Sequence, residues 1–133
     1  MILAPTFREI TRLPEFGRDL KGLVKRFRTL EEDLTMLLKT QLVLIHKLGI
    51  DNKGVFEIPG MPFSEPKIFK VKKFACRALK GRGANSGLRL IYAYFEPEDR
   101  IELVEIYFKG DRENEDRERI LQNYRAACKS PAP

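Results

Sequence analysis

The apolar residues of this chain change period once, and the change falls between Gly49 and Lys67. Before it they recur at helical spacing. Phe16, Leu20, Leu23, Val24 and Phe27 make one stripe, so 14–27 reads as an amphipathic helix opening at Pro14. Its other face carries Arg18, Lys21, Lys25 and, past the turn, Arg28. Thr29 followed by Glu32 matches a capping box and predicts a second helix start. Leu30, Leu34, Leu37, Leu38, Leu42, Ile45 and Leu48 carry the stripe to Gly49, a natural stop. Ahead of this hairpin, "PTFREITRL" is a short strand with Phe7 and Ile10 as its apolar positions.

After Lys67 the pattern becomes that of strands. "KIFKVKKFACRAL" alternates, loses phase at Lys72–Lys73 and resumes, which points to a bulge or to two partly covered faces. "GLRLIYAYF" is apolar on both faces, as a central strand must be. "EPEDR" is a turn, and "RIELVEIYFKGD" sends Val104, Ile106 and Phe108 one way and Glu105, Tyr107 and Lys109 the other. "DRENEDRERILQNYRAA" is a last helix, capped by Asp111 or Asn114 and anchored by Ile120, Leu121 and Tyr124; the tail 129–133 is expected to fray. Between the two regimes, 50–66 holds Gly54, Pro59, Gly60, Pro62 and Pro66 and is a loop, expected to be pinned by Phe56, Ile58, Met61 and Phe63. The order β-α-α-β-β-β-α gives an α+β fold: an N-terminal strand and helical hairpin on one face of a small, mainly antiparallel sheet, the other face partly open.

A length of 133 residues, 43% hydrophobic, suits a single domain spanning 1–133. No apolar run approaches the roughly 20 residues of a membrane span, and "MILAPTFREI" does not read as a signal peptide. Cys76 and Cys128, far apart, read as free thiols of a cytoplasmic protein. No ligand set has metal spacing, so neither metal nor cofactor is expected. His46 falls within a helix stripe and reads as a surface or satisfied residue; Ser86 has no evident partner base.

Charge is polarised. Lys67, Lys70, Lys72, Lys73, Arg77, Lys80, Arg82 and Arg89 fall in a stretch with no acid, whereas 96–119 holds ten acids against five bases. A basic, glycine-spaced loop running into a central strand suits a polyphosphate chain, RNA above all; a lysine-rich edge that discourages aggregation has the same composition. Arg89 follows a glycine at the start of the central strand, where its planar fork could grip two phosphate oxygens or pair with Glu105. Tyr107 could stack on a base or donate a hydrogen bond, or be a half-buried sheet tyrosine. Lys70, Lys72, Lys73, Arg82 and Asn85 are candidates for tracking an RNA backbone.

Arg77, the Gly81–Gly83 spacing, Ser86–Gly87, Arg89 with Tyr92, and Tyr107–Phe108–Lys109 before a polar helix start resemble the RelE/ParE superfamily of type II toxins, nearest its RelE and HigB-like branch. The resemblance lies in the residues over 66–120 and in topology alone over 1–50. It implies a RelE-like fold, a ribosome-dependent mRNA endonuclease working without a metal, and a cognate antitoxin partner. In such enzymes the ribose 2′-hydroxyl attacks its own 3′ phosphate, leaving a cyclic phosphate and a 5′-hydroxyl end. The resemblance assigns phosphate contact or proton transfer to Arg89, Arg77, Lys80, Lys109 and Tyr107. Well-known members carry two closely spaced lysines on the strand before the arginine, and here Arg77 and Lys80 are set wider. A lysine with a lowered pKa could act as base. Relatives on the ParE side inhibit DNA gyrase, and a silent RNA- or ribosome-binding protein would keep the same charges.

Overall fold

The computed structural model describes residues 6–128, and the expected fraying of 129–133 lies outside them. Ten elements follow one another: β1 (Glu9–Arg12), α1 (Pro14–Val24), α2 (Leu30–Lys39), α3 (Gln41–Lys47), β2 (Val55–Glu57), β3 (Lys67–Val71), β4 (Leu88–Phe95), a short 3-10 turn (Glu96–Glu98), β5 (Arg100–Phe108) and α4 (Arg117–Cys128). The strands form one sheet of order β1-β5-β4-β3-β2. Only the β1–β5 pairing is parallel. The doubly apolar strand is the middle one: Leu90, Ile91, Tyr92 and Ala93 have no exposed surface.

Side chains alternate between the faces of a strand, so the register sorts them. Val71, Leu90 and Ile106 share one face with Phe69, Tyr92 and Leu103; Lys70, Ile91 and Glu105 lie on the other. The helical layer covers the first face. α3 lays His46 against Phe69, Tyr92 and Tyr94, and Phe27, beyond α1, packs its ring on Phe108. The second face is covered in part, as the sequence suggested. α4 packs there, with Tyr124 against Phe95 and bonded to Glu102, and with Ile120 and Tyr124 buried. Leu121, expected as an anchor, is only half-buried.

Several boundaries differ from expectation for physical reasons. Thr29 does not cap α2; its hydroxyl is taken by Asp33 at 2.6 Å and by the Ala78 amide. The long second helix breaks at Thr40, whose hydroxyl bonds back to the Met36 carbonyl and competes with the helical ladder. Asp116 caps α4 by accepting from the Arg119 amide, in place of Asp111 or Asn114. β3 ends at Val71 where the phase is lost, so 72–87 is a loop with one isolated bridge, Phe74 to Asn85. The 50–66 segment contains an unforeseen edge strand, β2, paired with β3. Ile58 is buried and Met61 and Phe63 partly so, but Phe56 is 45% exposed and pins nothing.

A bulge in β5 sets the geometry of the second face. Ile91 lies opposite Glu105 and Tyr92 opposite Leu103, leaving Val104 over. Beyond that point β1 no longer covers β5. Arg119 of α4 fills in, donating to the Val104 carbonyl at 2.9 Å and to Asp19 of α1 at 2.6 Å.

Candidate functional site

Three of the predicted residues converge on the second face, at the end that α4 leaves uncovered. Arg89 sits directly opposite Tyr107, and Lys70 opposite Ile91, one strand over. Arg89 is half-buried and donates to the carbonyls of Lys72 at 3.1 Å and Leu88 at 3.3 Å. No carboxylate among the described residues pairs with it, because Glu105 is taken by Arg112. The Lys70 ammonium lies 5.8 Å from the centre of the Tyr107 ring and the Arg112 guanidinium 4.8 Å from it, so the ring is flanked by two cations. Lys72, just past β3, sets its ammonium 5.1 Å from the centre of the exposed Phe56 ring.

Two of these cations are already compensated. Lys70 pairs with Glu115 at 2.8 Å, and Arg112 with Glu105, which is fully buried and also accepts from the Asp116 amide. Burial alone would lower the Lys70 pKa, but its bond to Glu115 and its nearness to Tyr107 hold it above the ordinary lysine value. Glu115, which burial would raise, is held below its ordinary value by Lys70. A lysine with a lowered pKa is therefore not what this face offers at position 70. Burial raises the Tyr107 phenol against the pull of Lys70, and its hydroxyl has no hydrogen-bond partner among the described residues. At 4% exposure Tyr107 lies beneath the two cations and has no free face for a base to stack on.

Of the remaining candidates, Lys109 stays near this end of the sheet and the others go elsewhere. Arg77 is withdrawn from the site: its Nε donates to Asp33 at 2.9 Å and its Nη2 to Glu32 at 2.5 Å, both on α2. A hollow of about 390 Å³ beside that pair is lined by the same two carboxylates with Met36 and Leu37, a poor lining for a polyanion. Lys73 donates to the Asn52 carbonyl. Lys80, Arg82 and Asn85 are exposed in the 72–87 loop. Lys109 is exposed just past the end of β5, its amide bonded to the Gly87 carbonyl. Ser86 is buried, bonded to the Phe74 carbonyl and the Leu88 amide, and is structural.

Four members of this face were not placed on it from sequence: Phe56, expected only as a loop pin, Glu105 as the partner of Arg112, Arg112 itself and Glu115. Arg112 stands in "GDREN" and Glu115 directly after it, within the acidic stretch 96–119. The acids are there to hold Lys70 and Arg112 in place. Lys70 lies on β3 and Lys72 just past its end, whereas Arg77 and Lys80 fall in the 72–87 loop.

No group of three or more His, Cys, Asp or Glu among the described residues could hold a metal ion, and no helix among them is long and apolar enough to cross a membrane. No family model and no curated protein matches the sequence. Three solved structures have a similar backbone. The RelE–RelB complex of the archaeon Pyrococcus horikoshii OT3 is 16% identical over 80% of this chain and 98% of that one, with a TM-score of 0.47. A mutant of the E. coli toxin RelE in the free state is 15% identical over 82% of this chain and 90% of that one, at 0.46. The isolated E. coli RelE toxin is 18% identical over 90% and 97%, at 0.43.

Proposed function

We propose that this chain is a toxin of the RelE type that engages single-stranded RNA at the uncovered end of its second sheet face and cleaves it by 2′-hydroxyl attack. The observation that carries the reading is Arg89: a guanidinium on the central strand, spared any carboxylate and held by backbone carbonyls toward Lys72. Arg89 and Lys72 take the phosphate, where a fixed fork best stabilises the extra charge of the phosphorane. Lys109 flanks them. Lys70 and Glu115 form the proton-transfer pair: Glu115 takes the 2′ proton and Lys70 supplies one to the leaving 5′ oxygen. Bound to each other both are weak, the acid because its pKa is raised and the base because its pKa is lowered. A substrate phosphate that draws Lys70 away strengthens Glu115 as the base and brings the Lys70 ammonium beside the leaving oxygen. Tyr107 positions the two cations from below. The resemblance supplies the ribosome as the place of action and an antitoxin as the partner that restrains the free toxin.

The same ion pairs favour a second reading, a RelE-fold protein that binds RNA or the ribosome without cutting. Induced expression separates the two. Under the first reading translation stops and mRNA acquires new 5′-hydroxyl ends; Arg89→Ala abolishes both and leaves the fold intact. Arrest without new ends supports the binding reading. Arrest and cleavage unchanged in Arg89→Ala overturn the site.

A further inference from the structure

The edge strand β2 ends a row of cations in an exposed aromatic ring. Val55 and Ile58 are buried on either side of it, and the backbone is drawn close to β3 at Gly54, whose carbonyl accepts from the Lys72 amide at 2.7 Å. A Cβ on Gly54 would lie 2.6 Å from that of Lys73, so the approach requires glycine. Phe56 is thereby fixed opposite Lys70, on the face that carries Arg89 and Tyr107. A core would hide such a ring; here it is 45% exposed, with the Lys72 ammonium 5.1 Å from its centre. Lys72 in turn supplies the carbonyl that holds Arg89. Ring, ammonium and guanidinium therefore form one continuous track across β2, β3 and β4.

We infer that Phe56 is a base-stacking subsite for single-stranded RNA, seating the base of a nucleotide whose phosphate lies on Lys72 and Arg89. Two strand spacings, about 10 Å, separate the row of β2 from that of β4, a distance one nucleotide can bridge from base to phosphate. Stacking on an aromatic face accepts any base, and a neighbouring cation adds to it. Charge selects the occupant: the exposed apolar ring is flanked by free positive charge, which suits a base tethered to phosphate better than an apolar protein surface. The inference rests on the RNA reading of this face.

The test uses the full chain and a short, end-labelled single-stranded RNA of mixed sequence, with affinity read by fluorescence anisotropy. Phe56→Ala should weaken binding about tenfold, and Phe56→Leu, which keeps apolar bulk on an exposed position, should weaken it comparably. The chain has no tryptophan, so Phe56→Trp creates a single reporter; this variant should bind as the parent does, with its indole emission quenched by RNA. The subsite is overturned if Phe56→Leu binds like the parent, or if the indole emission of Phe56→Trp ignores RNA, while Arg89→Ala still loses binding; the RNA reading then survives alone. Absence of any binding by the parent chain overturns both.

Discussion

His46 is a residue whose burial makes a sharp prediction, and it also shows why no imidazole serves the candidate site. It sits on α3 against the opposite face of the sheet, edge-on to Phe69 and Tyr92, with its Nε2 2.5 Å from the Tyr92 hydroxyl. Burial, helped by the charge of Lys67, lowers its pKa from 6.5 to about 4. The folded state thus favours the neutral ring, and the unfolded chain takes up a proton first. Stability from this residue is complete above about pH 6.5 and is lost as pH falls toward 4. His46 is the one histidine in the sequence, so the window above the carboxylate range belongs to it. The urea midpoint should therefore decline between about pH 6.5 and 5, and His46→Phe should flatten that decline. A flat profile in the parent chain would contradict the assignment.

At the scale of elements, what ties the 72–87 loop down is Asp33 in the first turn of α2. Its carboxylate accepts from the Thr29 hydroxyl at 2.6 Å, the Arg77 amide at 3.0 Å and the Arg77 Nε at 2.9 Å. Burial would raise its pKa, but these donors hold it below the ordinary value. Asp33→Ala strands them at once, at a cost of about 2 kcal/mol, measurable as a lower denaturant midpoint. The parent chain should lose this contribution as pH falls below the ordinary aspartate value, 3.8, toward the lower folded one. The sequence could show the order of strands and helices because each long element repeats its own period, and it marked β4 as central because both faces are apolar. It could not show β2, whose three residues are too few for a period. Nor could it separate Arg77 from Arg89. Both are arginines in the same basic stretch, and only the fold decides that one meets Asp33 while the other meets a carbonyl. Arg112 was hidden for the converse reason: its cation appears in sequence among acids, and its partner Glu105 lies seven positions back on β5.

Over the whole molecule, the net charge of +6 overstates what a polyanion can meet. Of the eight basic residues between Lys67 and Arg89, Arg77 is spent on α2, Lys70 on Glu115, and Lys73 leans on the loop before β2. The 96–119 segment, acidic in sequence, folds back and brings Glu105 and Glu115 into the basic face. This leaves Lys72 and Arg89 at the uncovered end, joined there by Lys109 just past β5, with Lys80 and Arg82 out on the loop and Lys67 on the opposite face of the sheet. Salt dependence reports how many phosphates are neutralised, since each released counterion adds about 0.7 to the slope for a single strand. Three contacts give a slope of about −2 in log affinity against log salt, whereas a track using all eight basic residues would give roughly −5 to −6. We therefore expect a shallow slope, reduced by about 0.7 in Arg89→Ala and unchanged in Lys80→Ala. A steep slope that Lys80→Ala and Arg82→Ala both reduce would move the RNA onto the loop and away from the sheet, because those two ammonium and guanidinium groups can reach phosphate only there.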